Sequence, residues 1–380
     1  MSLEPLAVPA SGSRAGRAAR LAAATPASRD RYVDFLRVAA IAIVVLGHWL
    51  MLAVEFRDGR LGGANVLEIE PWTQWLTWVF QPMPVFFIVR GYANAASWSA
   101  ARRDRLGYAA WLHGRLSRLL RPTLVFACGS GVGLVLTSMV QGEAVERAVR
   151  LIALPVWFLA VYVVICAAAP VLVRGHRRFG KRLTVALLLG AAVVDVAHWN
   201  LGVPLVGWLN FVLVWGFAHQ LGVTWQSRGL PQRSAALALA GAGLTGLVVL
   251  TQLGGYPVAL VGGDVAHRTN NSPPSLALVA LTTLQYGVVA LGAGPVRRRL
   301  EGRRAWQATV AGNGVIMTVF LWHLTAAAIV TALLVPRPWF PQPELTSGAW
   351  WALRPAWIAL LLVALVPLVA LFRRFEAPAP

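Results

Sequence analysis

The chain has 380 residues, of which 57% are hydrophobic and 13% are charged. Such a composition, with long uncharged runs, excludes an ordinary soluble domain and predicts a polytopic membrane protein surrounded by a lipid bilayer. A net charge of +19 would raise the question of nucleic-acid binding in a soluble protein. Here the basic residues lie in short connections between apolar segments, where they orient a membrane protein, so we expect no nucleic-acid partner.

The apolar runs predict an all-α integral membrane protein with about ten transmembrane helices. Residues 1–32 are rich in Ala, Ser and Arg and lack the apolar core of a signal peptide, so they are predicted to form a disordered cytoplasmic tail. One membrane domain is predicted over residues 33–372, followed by a second cytoplasmic tail at 373–380. The ten predicted spans are 33–54, 74–96, 121–140, 151–173, 182–199, 203–222, 234–254, 274–293, 309–335 and 350–372. The second span contains Pro82, Pro84 and Gly91 and is expected to be kinked or broken.

The distribution of arginine predicts the orientation of the spans. Most of the 34 basic residues lie in alternate connections, whereas the long connections 55–73, 255–273 and 336–349 carry few of them. By the positive-inside rule, both termini are predicted to be cytoplasmic. Lys181 is the only lysine, a bias typical of GC-rich bacterial genomes, and the expected location is therefore the bacterial plasma membrane.

Three ionisable residues share one stripe of the first span. Arg37 and His48 are eleven residues apart, which is three helical turns plus about 20° and roughly 16 Å along the axis. Asp34 precedes Arg37 by three residues, close enough to pair with it. Because ionisable groups are costly in a bilayer, the stripe indicates a function, with His48 as a candidate general base. A proton path in a transporter and a merely structural histidine are the alternatives.

Arginines in the next two spans also require partners. Arg90 lies inside the second span and is expected either to pair with Asp195 or to contact a substrate. Arg115 and Arg118 lie one turn apart in the segment that leads into the third span, a spacing that suits phosphate groups. Simple anchoring at the cytoplasmic face is the alternative for this pair.

Later histidines are weaker candidates. His323 is predicted to lie deep in the ninth span, which makes it a candidate for contact with a substrate. Asp195 and His198 are three residues apart near the outer end of the fifth span, and either a proton-handling pair or a solvated role fits them. His219 is expected near a helix end, where a cation complements the helix dipole.

These segments together resemble the acyltransferase type 3 family of membrane O-acyltransferases. The segment RYVDFLRVAAIAIVVLGHWL resembles the family's D-x-x-R…H opening, and PMPVFFIVRGY resembles its plFFvlSGy segment. GRLSRLLRP resembles the R-x-x-R-x-x-x-P motif, LPVWFL around Trp157 resembles its WFL span, and VFLWHL resembles its late YllH segment. The resemblance extends from about residue 31 to 372. It departs from the family at Arg90, where a small residue is usual.

The resemblance implies transfer of an acyl group, expected to be acetyl, from cytoplasmic acyl-CoA to a hydroxyl group. The acceptor would be a carbohydrate, a cell-envelope component or a secondary metabolite. His48 would be the general base, Arg37 would help to hold the donor, and Arg115 and Arg118 would bind the donor's phosphates. The remaining candidates for substrate contact are His323, Trp157 and Arg90. Acyl-CoA is then a substrate, and neither a tightly bound cofactor nor a metal is expected. One alternative is a proton-coupled secondary transporter that uses the Asp34, Arg37 and His48 stripe. Another is a binding or sensing membrane protein without turnover.

Overall fold

The structure, a computed structural model, describes residues 19–20, 22–26, 29–138, 142–262 and 268–376, without the side chains of 132–158. The first half of the chain contains α1 (Arg31–Met51), β1 (Leu52–Arg57), β2 (Arg60–Asn65), α2 (Val66–Ile69), α3 (Thr77–Phe80), α4 (Met83–Arg103), α5 (Tyr108–Ser138) and α6 (Gly142–Phe179). The second half contains α7 (Lys181–Trp199), α8 (Asn210–Arg228), α9 (Arg233–Gln252), α10 (Leu276–Glu301), α11 (Arg303–Asn313), α12 (Ile316–Leu334) and α13 (Gly348–Phe372).

Eight helices in the described part are long and apolar enough to cross a membrane. They are α1, residues Leu159–Phe179 of α6, α7, α8 with the turn before it (Val206–Arg228), α9, α10, α12 and α13 extended to Phe375. A multi-pass helical membrane protein is thereby confirmed. The predicted second and third spans correspond to α4 and α5, which are not among the eight, so the count of ten and the orientation of the termini remain predictions.

The first predicted span extends too far. Helix α1 ends at Met51, and the apolar residues that follow it form strand β1, which pairs with β2 in an antiparallel hairpin. Asp58 and Gly59 form the turn with φ angles of 52° and 73°. Positive φ at both central positions defines the tight turn whose twist matches that of the strands, and Asp-Gly is its preferred sequence. The all-α prediction therefore holds for the described part except for this one hairpin.

The predicted break in the second span is confirmed. Helix α3 ends at Phe80, and α4 begins at Met83 after Gln81 and Pro82. A backbone carbonyl released at such a break needs a partner where water is scarce. Gln285 of α10 supplies one, because its Nε2 donates to the carbonyl oxygen of Gln81 at 2.9 Å.

Three long connections interlock over the C-terminal end of α1. They comprise residues 52–82, the described parts of 253–275, and 335–347, and we call them the cap. Trp78 Nε1 donates to the carbonyl oxygen of Val258 at 2.9 Å, and the backbone N–H of Leu260 donates to Thr77 Oγ1 at 2.9 Å. The third connection joins through Gln342, whose Oε1 accepts from a backbone N–H of β1 at 3.3 Å. These bonds make the cap one structure.

Helix α1 lies at the centre of the bundle. It contacts α4, α10, α11 and α12, and its buried side chains belong to the main apolar core. A central helix can present polar side chains to other helices and not to lipid. The stripe predicted from the sequence therefore faces the protein interior.

Candidate active site

Two histidines from distant parts of the chain meet beneath the cap. His48 is in the last turn of α1, His323 is in the middle of α12, and Nδ1 of His48 lies 2.8 Å from Nε2 of His323. Trp49 Nε1 also donates to the backbone carbonyl of His323 at 3.1 Å, which fixes α1 against α12. His323 has no exposed surface, whereas His48 is partly exposed.

The hydrogen bonds determine where the protons lie in this pair when both rings are neutral. Nδ1 of His323 is 2.7 Å from the carbonyl oxygen of Phe320, which can only accept, so this nitrogen carries the proton. Nε2 of His323 is then an acceptor, and Nδ1–H of His48 donates to it. Nε2 of His48 is consequently unprotonated, as a general base must be.

His48 lies at a cavity of about 290 Å³. Side chains of α1, of the cap and of α12 line it, including Leu50, Thr77 and Phe320. His48 is part of the lining, and its Nε2 makes no hydrogen bond with any residue that the structure describes. A hydroxyl group bound in this cavity could therefore donate to His48.

Asp34 lies at the other end of α1 and is shared by two arginines. Its side chain is buried, it accepts from Nε and Nη2 of Arg29 at 2.5 and 3.1 Å, and it accepts from Nη2 of Arg37 at 3.2 Å. The predicted pairing of Asp34 with Arg37 is thus present in the structure. One carboxylate for two guanidinium groups leaves this end of the helix positive.

Arg115 is held by a chain of buried polar groups. Its Nη2 donates to Asn94 Oδ1 at 2.5 Å, and Asn94 Nδ2 lies 3.3 Å from Nε2 of His219. Asn94 and His219 have no exposed surface. His219 lies in the middle of α8 and not at the helix end expected from the sequence. The chain directs Arg115 toward α4 and the bundle interior. Arg118, one turn later, is exposed.

Three arginines, one each from α1, α4 and α5, have an N–H donor without a partner among the described residues. The Nε atoms of Arg37, Arg90 and Arg115 are each buried without a hydrogen-bond partner among the described residues. Arg90 lies against the rings of Phe86 and Tyr162, at 4.8 and 5.0 Å from their centroids, and is close enough to Arg37 and Arg115 to repel both. Buried donors of one charge without partners indicate a site for an anion.

An open cleft lies beside the N-terminal end of α1. Its volume is about 640 Å³, and Arg29, Arg31 and Arg297 contribute to its lining. Nη2 of Arg297 donates to Asp30 Oδ2 at 2.7 Å, which holds this arginine at the rim. Asp30 and Glu301 also line the cleft, so three arginines and two carboxylates lie together beside the end of α1 that carries Arg37.

Asp195 has other partners than those considered from the sequence. It accepts from the hydroxyl group of Tyr256 and from the backbone N–H of Leu276, both at 2.8 Å, and forms no ion pair with Arg90 or His198 in the described structure. Burial and the negative charge of Asp195 raise the pKa of Tyr256 to about 12, so the phenol keeps its proton. Asp195 therefore joins α7 to the cap.

The remaining candidates are partly outside the described structure. Trp157 lies in α6, but its side chain is among those not described. The sequence reasoning missed Asn94 and Asn271, which line the arginine site and the cavity respectively. Both are amides inside or next to apolar segments. An amide at such a position is expected to be buried and to need a hydrogen-bond partner, which is the signal that the sequence offered.

The described structure is a multi-pass helical bundle in which a histidine pair lies under a cavity and a cationic residue, Arg37, lies on the same helix. A family model described as "Acyltransferase domain" matches residues 30–374. The chain therefore belongs to the acyltransferase type 3 family and is an acyltransferase, which favours catalysis over the transporter alternative. No curated protein and no solved structure matched the chain.

Proposed function

We propose that the protein transfers an acyl group, expected to be acetyl, from acyl-CoA to a hydroxyl group of an acceptor, with His48 as general base. The hydrogen bond between His48 Nδ1 and His323 Nε2 carries this proposal. It leaves Nε2 of His48 unprotonated at the cavity, where an acceptor hydroxyl can reach it. The acceptor is a carbohydrate, a cell-envelope component or a secondary metabolite.

The proposed reaction balances with these groups alone. His48 Nε2 takes the proton of the acceptor hydroxyl while its oxygen attacks the thioester carbon. An ester bond forms, the carbon–sulfur bond breaks, and His48 returns the proton to the sulfur of CoA. During the step the positive charge on His48 is shared with His323 through their hydrogen bond. Acyl-CoA is a substrate, and the scheme needs no tightly bound cofactor.

The donor's phosphates are proposed to bind the arginines. Arg37, Arg90 and Arg115 offer buried Nε donors, and a phosphate or a polarised carbonyl oxygen would satisfy them. Arg118 is exposed one turn from Arg115 and can bind a more distant phosphate. Trp157 completes the proposed set of substrate contacts.

The donor is proposed to arrive from the cytoplasm of a bacterial cell. The positive end of α1, with Arg37 and the cleft that includes Arg31 and Arg297, would face that side, as the arginine distribution predicts. The cap and the cavity would face outward. Both tails, 1–32 and 373–380, would then be cytoplasmic.

The proposal is tested with the purified full-length protein, radiolabelled acetyl-CoA and a panel of acceptors. We expect His48→Ala to lower kcat by about 10²–10⁴-fold, because the general base is lost. His113→Ala is the matched control, since His113 is exposed on α5. Full activity of His48→Ala at an unchanged melting temperature would contradict the assignment of the base.

A further inference from the structure

The cavity beside His48 has two kinds of lining. Most of it is apolar, with Leu50 and Met51 from α1, Leu67 and Phe80 from the cap, and Trp351 from α13. Its volume of about 290 Å³ is near the lower end of the range found for small-molecule sites. It is therefore large enough for one compact ligand or one end of a longer ligand.

The polar side chains of the lining already bond to the backbone. The hydroxyl groups of Thr73 and Thr77 each donate to a backbone carbonyl oxygen at 2.6 Å. The side-chain oxygens of Asn65 and Gln81 accept from backbone N–H groups at 3.1 and 3.4 Å. These groups hold the cap together, and their bonding to the protein leaves the surface offered to a ligand mainly apolar.

Asn271 differs from these four residues. Asn271 contributes to the lining of the cavity, and its Oδ1 is buried and accepts no hydrogen bond from any described residue. A buried acceptor without a partner costs free energy that a ligand can recover by donating to it. The cavity wall thus combines apolar side chains with two residues that can accept a hydrogen bond, His48 for the reacting hydroxyl and Asn271 for a second donor.

The geometry points to an acceptor of one chemical class: a largely apolar alcohol that carries one further hydrogen-bond donor. This inference rests on the proposed function and narrows its acceptor. A free sugar would bury several hydroxyl groups against apolar side chains, where they lack partners, and would be rejected. An apolar body gains from the same wall because its surface leaves water.

The acyl chain of the donor is a less suitable occupant of this cavity. Most of the lining comes from the C-terminal half of α1 and from the cap, toward the opposite end of α1 from Arg37. A hydrocarbon chain also has nothing to donate to Asn271 Oδ1. The cavity is therefore assigned to the acceptor.

The experiment uses the purified full-length protein, radiolabelled acetyl-CoA and three kinds of acceptor. These are 1-octanol, a set of octanediols (1,2-, 1,4- and 1,8-) and methyl glucoside. We expect His48-dependent acylation of the alcohols and none of methyl glucoside above background. The best diol should show a KM roughly 5–10-fold below that of octanol, as expected for one added hydrogen bond.

Two substitutions at Asn271 test the second contact. Asn271→Leu keeps the approximate size but removes the acceptor, so the KM for the best diol should rise to that for octanol. Asn271→Asp keeps an acceptor oxygen and should keep the preference. If both variants fail to fold, the comparison of alcohols with methyl glucoside in the wild-type protein still decides the substrate class. If Asn271→Leu is active and still prefers the diol to octanol, Asn271 does not bind the second donor of the acceptor.

Other outcomes separate this inference from the proposed function. His48-dependent acylation of methyl glucoside but not of the alcohols overturns the inference and leaves the proposed function standing. Absence of His48-dependent transfer to either class overturns the proposed function as well. Leu50→Trp, which partly fills the cavity, should raise the KM for octanol. If it changes the preference between acetyl- and octanoyl-CoA instead, the cavity holds the acyl chain, and the inference is wrong.

Discussion

At the scale of single residues, the direction of one hydrogen bond decides whether His48 can act as a base. If Nδ1 of His48 accepted a hydrogen bond from His323, Nε2 of the neutral ring would have to carry the proton and could not remove another. The carbonyl oxygen of Phe320, which cannot donate, fixes the opposite arrangement through His323. In the proposed reaction, His323 is therefore a positioning residue whose effect would reach the substrate through His48.

Two substitutions at His323 separate this role from simple packing. In His323→Gln the side-chain oxygen lies where Nε2 of His323 was and can still accept from Nδ1 of His48. In His323→Asn the shorter side chain places its amide where Nδ1 of His323 was, so it can bond only to the carbonyl oxygen of Phe320. We expect His323→Asn to lower kcat by about 10²-fold, at the lower end of general-base effects, with little change in KM. His323→Gln should retain much more activity. Equal losses in both variants would mean that His323 contributes only packing.

Arg90 provides a second test at this scale. Arg90→Met keeps an unbranched side chain against Phe86 and Tyr162 but removes the charge, and in the described structure no hydrogen bond or ion pair is lost. We expect the KM for acyl-CoA to rise roughly 10–100-fold, which corresponds to charge-assisted hydrogen bonds, while the melting temperature stays close to that of the wild type. Arg103→Gln, at an exposed position at the end of α4, is the control. A normal KM in Arg90→Met would remove Arg90 from the donor site.

The sequence identifies these residues because charge in an apolar span is expensive, but it does not identify their partners. His48 and His323 are 275 residues apart, and only the packing of α12 on α1 brings them together. Asn94 and Asn271 carry no charge and so give a much weaker signal, although each occupies a decisive position. The pairing of Asp34 with Arg37 was predictable because it is local to one helix.

At the scale of elements, the arginine site depends on how closely α4 approaches α8. Gly91 of α4 packs against the backbone of α8, and a Cβ added to it would lie 1.9 Å from the carbonyl oxygen of His219. This approach brings Asn94, one turn later, to the ring of His219. Membrane helices commonly pack through small residues in this way.

Gly91→Ala should therefore separate the two helices. We expect the free energy of unfolding to fall by roughly 1–3 kcal/mol, which is typical of overpacking in a tight contact. The melting temperature in detergent should fall with it. Activity should fall because Asn94 no longer holds Arg115. Gly241→Ala in α9 is the matched control, since an added Cβ there meets nothing within 4 Å. If Gly91→Ala melts at the wild-type temperature, α4 and α8 are farther apart at this position than the structure shows.

Hydropathy predicts most of the helices but not the cap. The apolar run of the first span continues past Met51 into β1, so composition alone gives no reason to end the helix there. The Asp58-Gly59 turn was the available signal. The other contacts of the cap, such as that between Trp78 and Val258, join segments 180 residues apart and follow from the assembled bundle.

At the scale of the whole molecule, α1 separates two chemically different regions. Its N-terminal end carries Asp34 and Arg37 beside the cationic cleft, and its C-terminal end carries His48 beneath the cap and the apolar cavity. An anionic, water-soluble donor and a largely apolar acceptor fit opposite ends of such a helix. The reaction would take place where the two regions meet, within the thickness of the bilayer.

The orientation of the molecule can be tested directly with single cysteines. In a Cys128→Ala background the remaining Cys166 has no exposed surface, so a membrane-impermeant maleimide should report only an introduced cysteine. Asp58→Cys, in the turn of the hairpin, should be labelled in intact cells. Arg304→Cys, at the exposed start of α11, should be labelled only in inverted membrane vesicles.

The same vesicles connect orientation with catalysis. If the positive end of α1 faces the cytoplasm, inverted vesicles should use acyl-CoA added from outside, whereas sealed right-side-out vesicles should not, because acyl-CoA is charged and does not cross the bilayer. Arg37 and the cleft would then receive the donor on the side where it is made, and the cap would admit the acceptor from the other side. Labelling of Arg304→Cys in intact cells would reverse the orientation and require the donor to bind from outside.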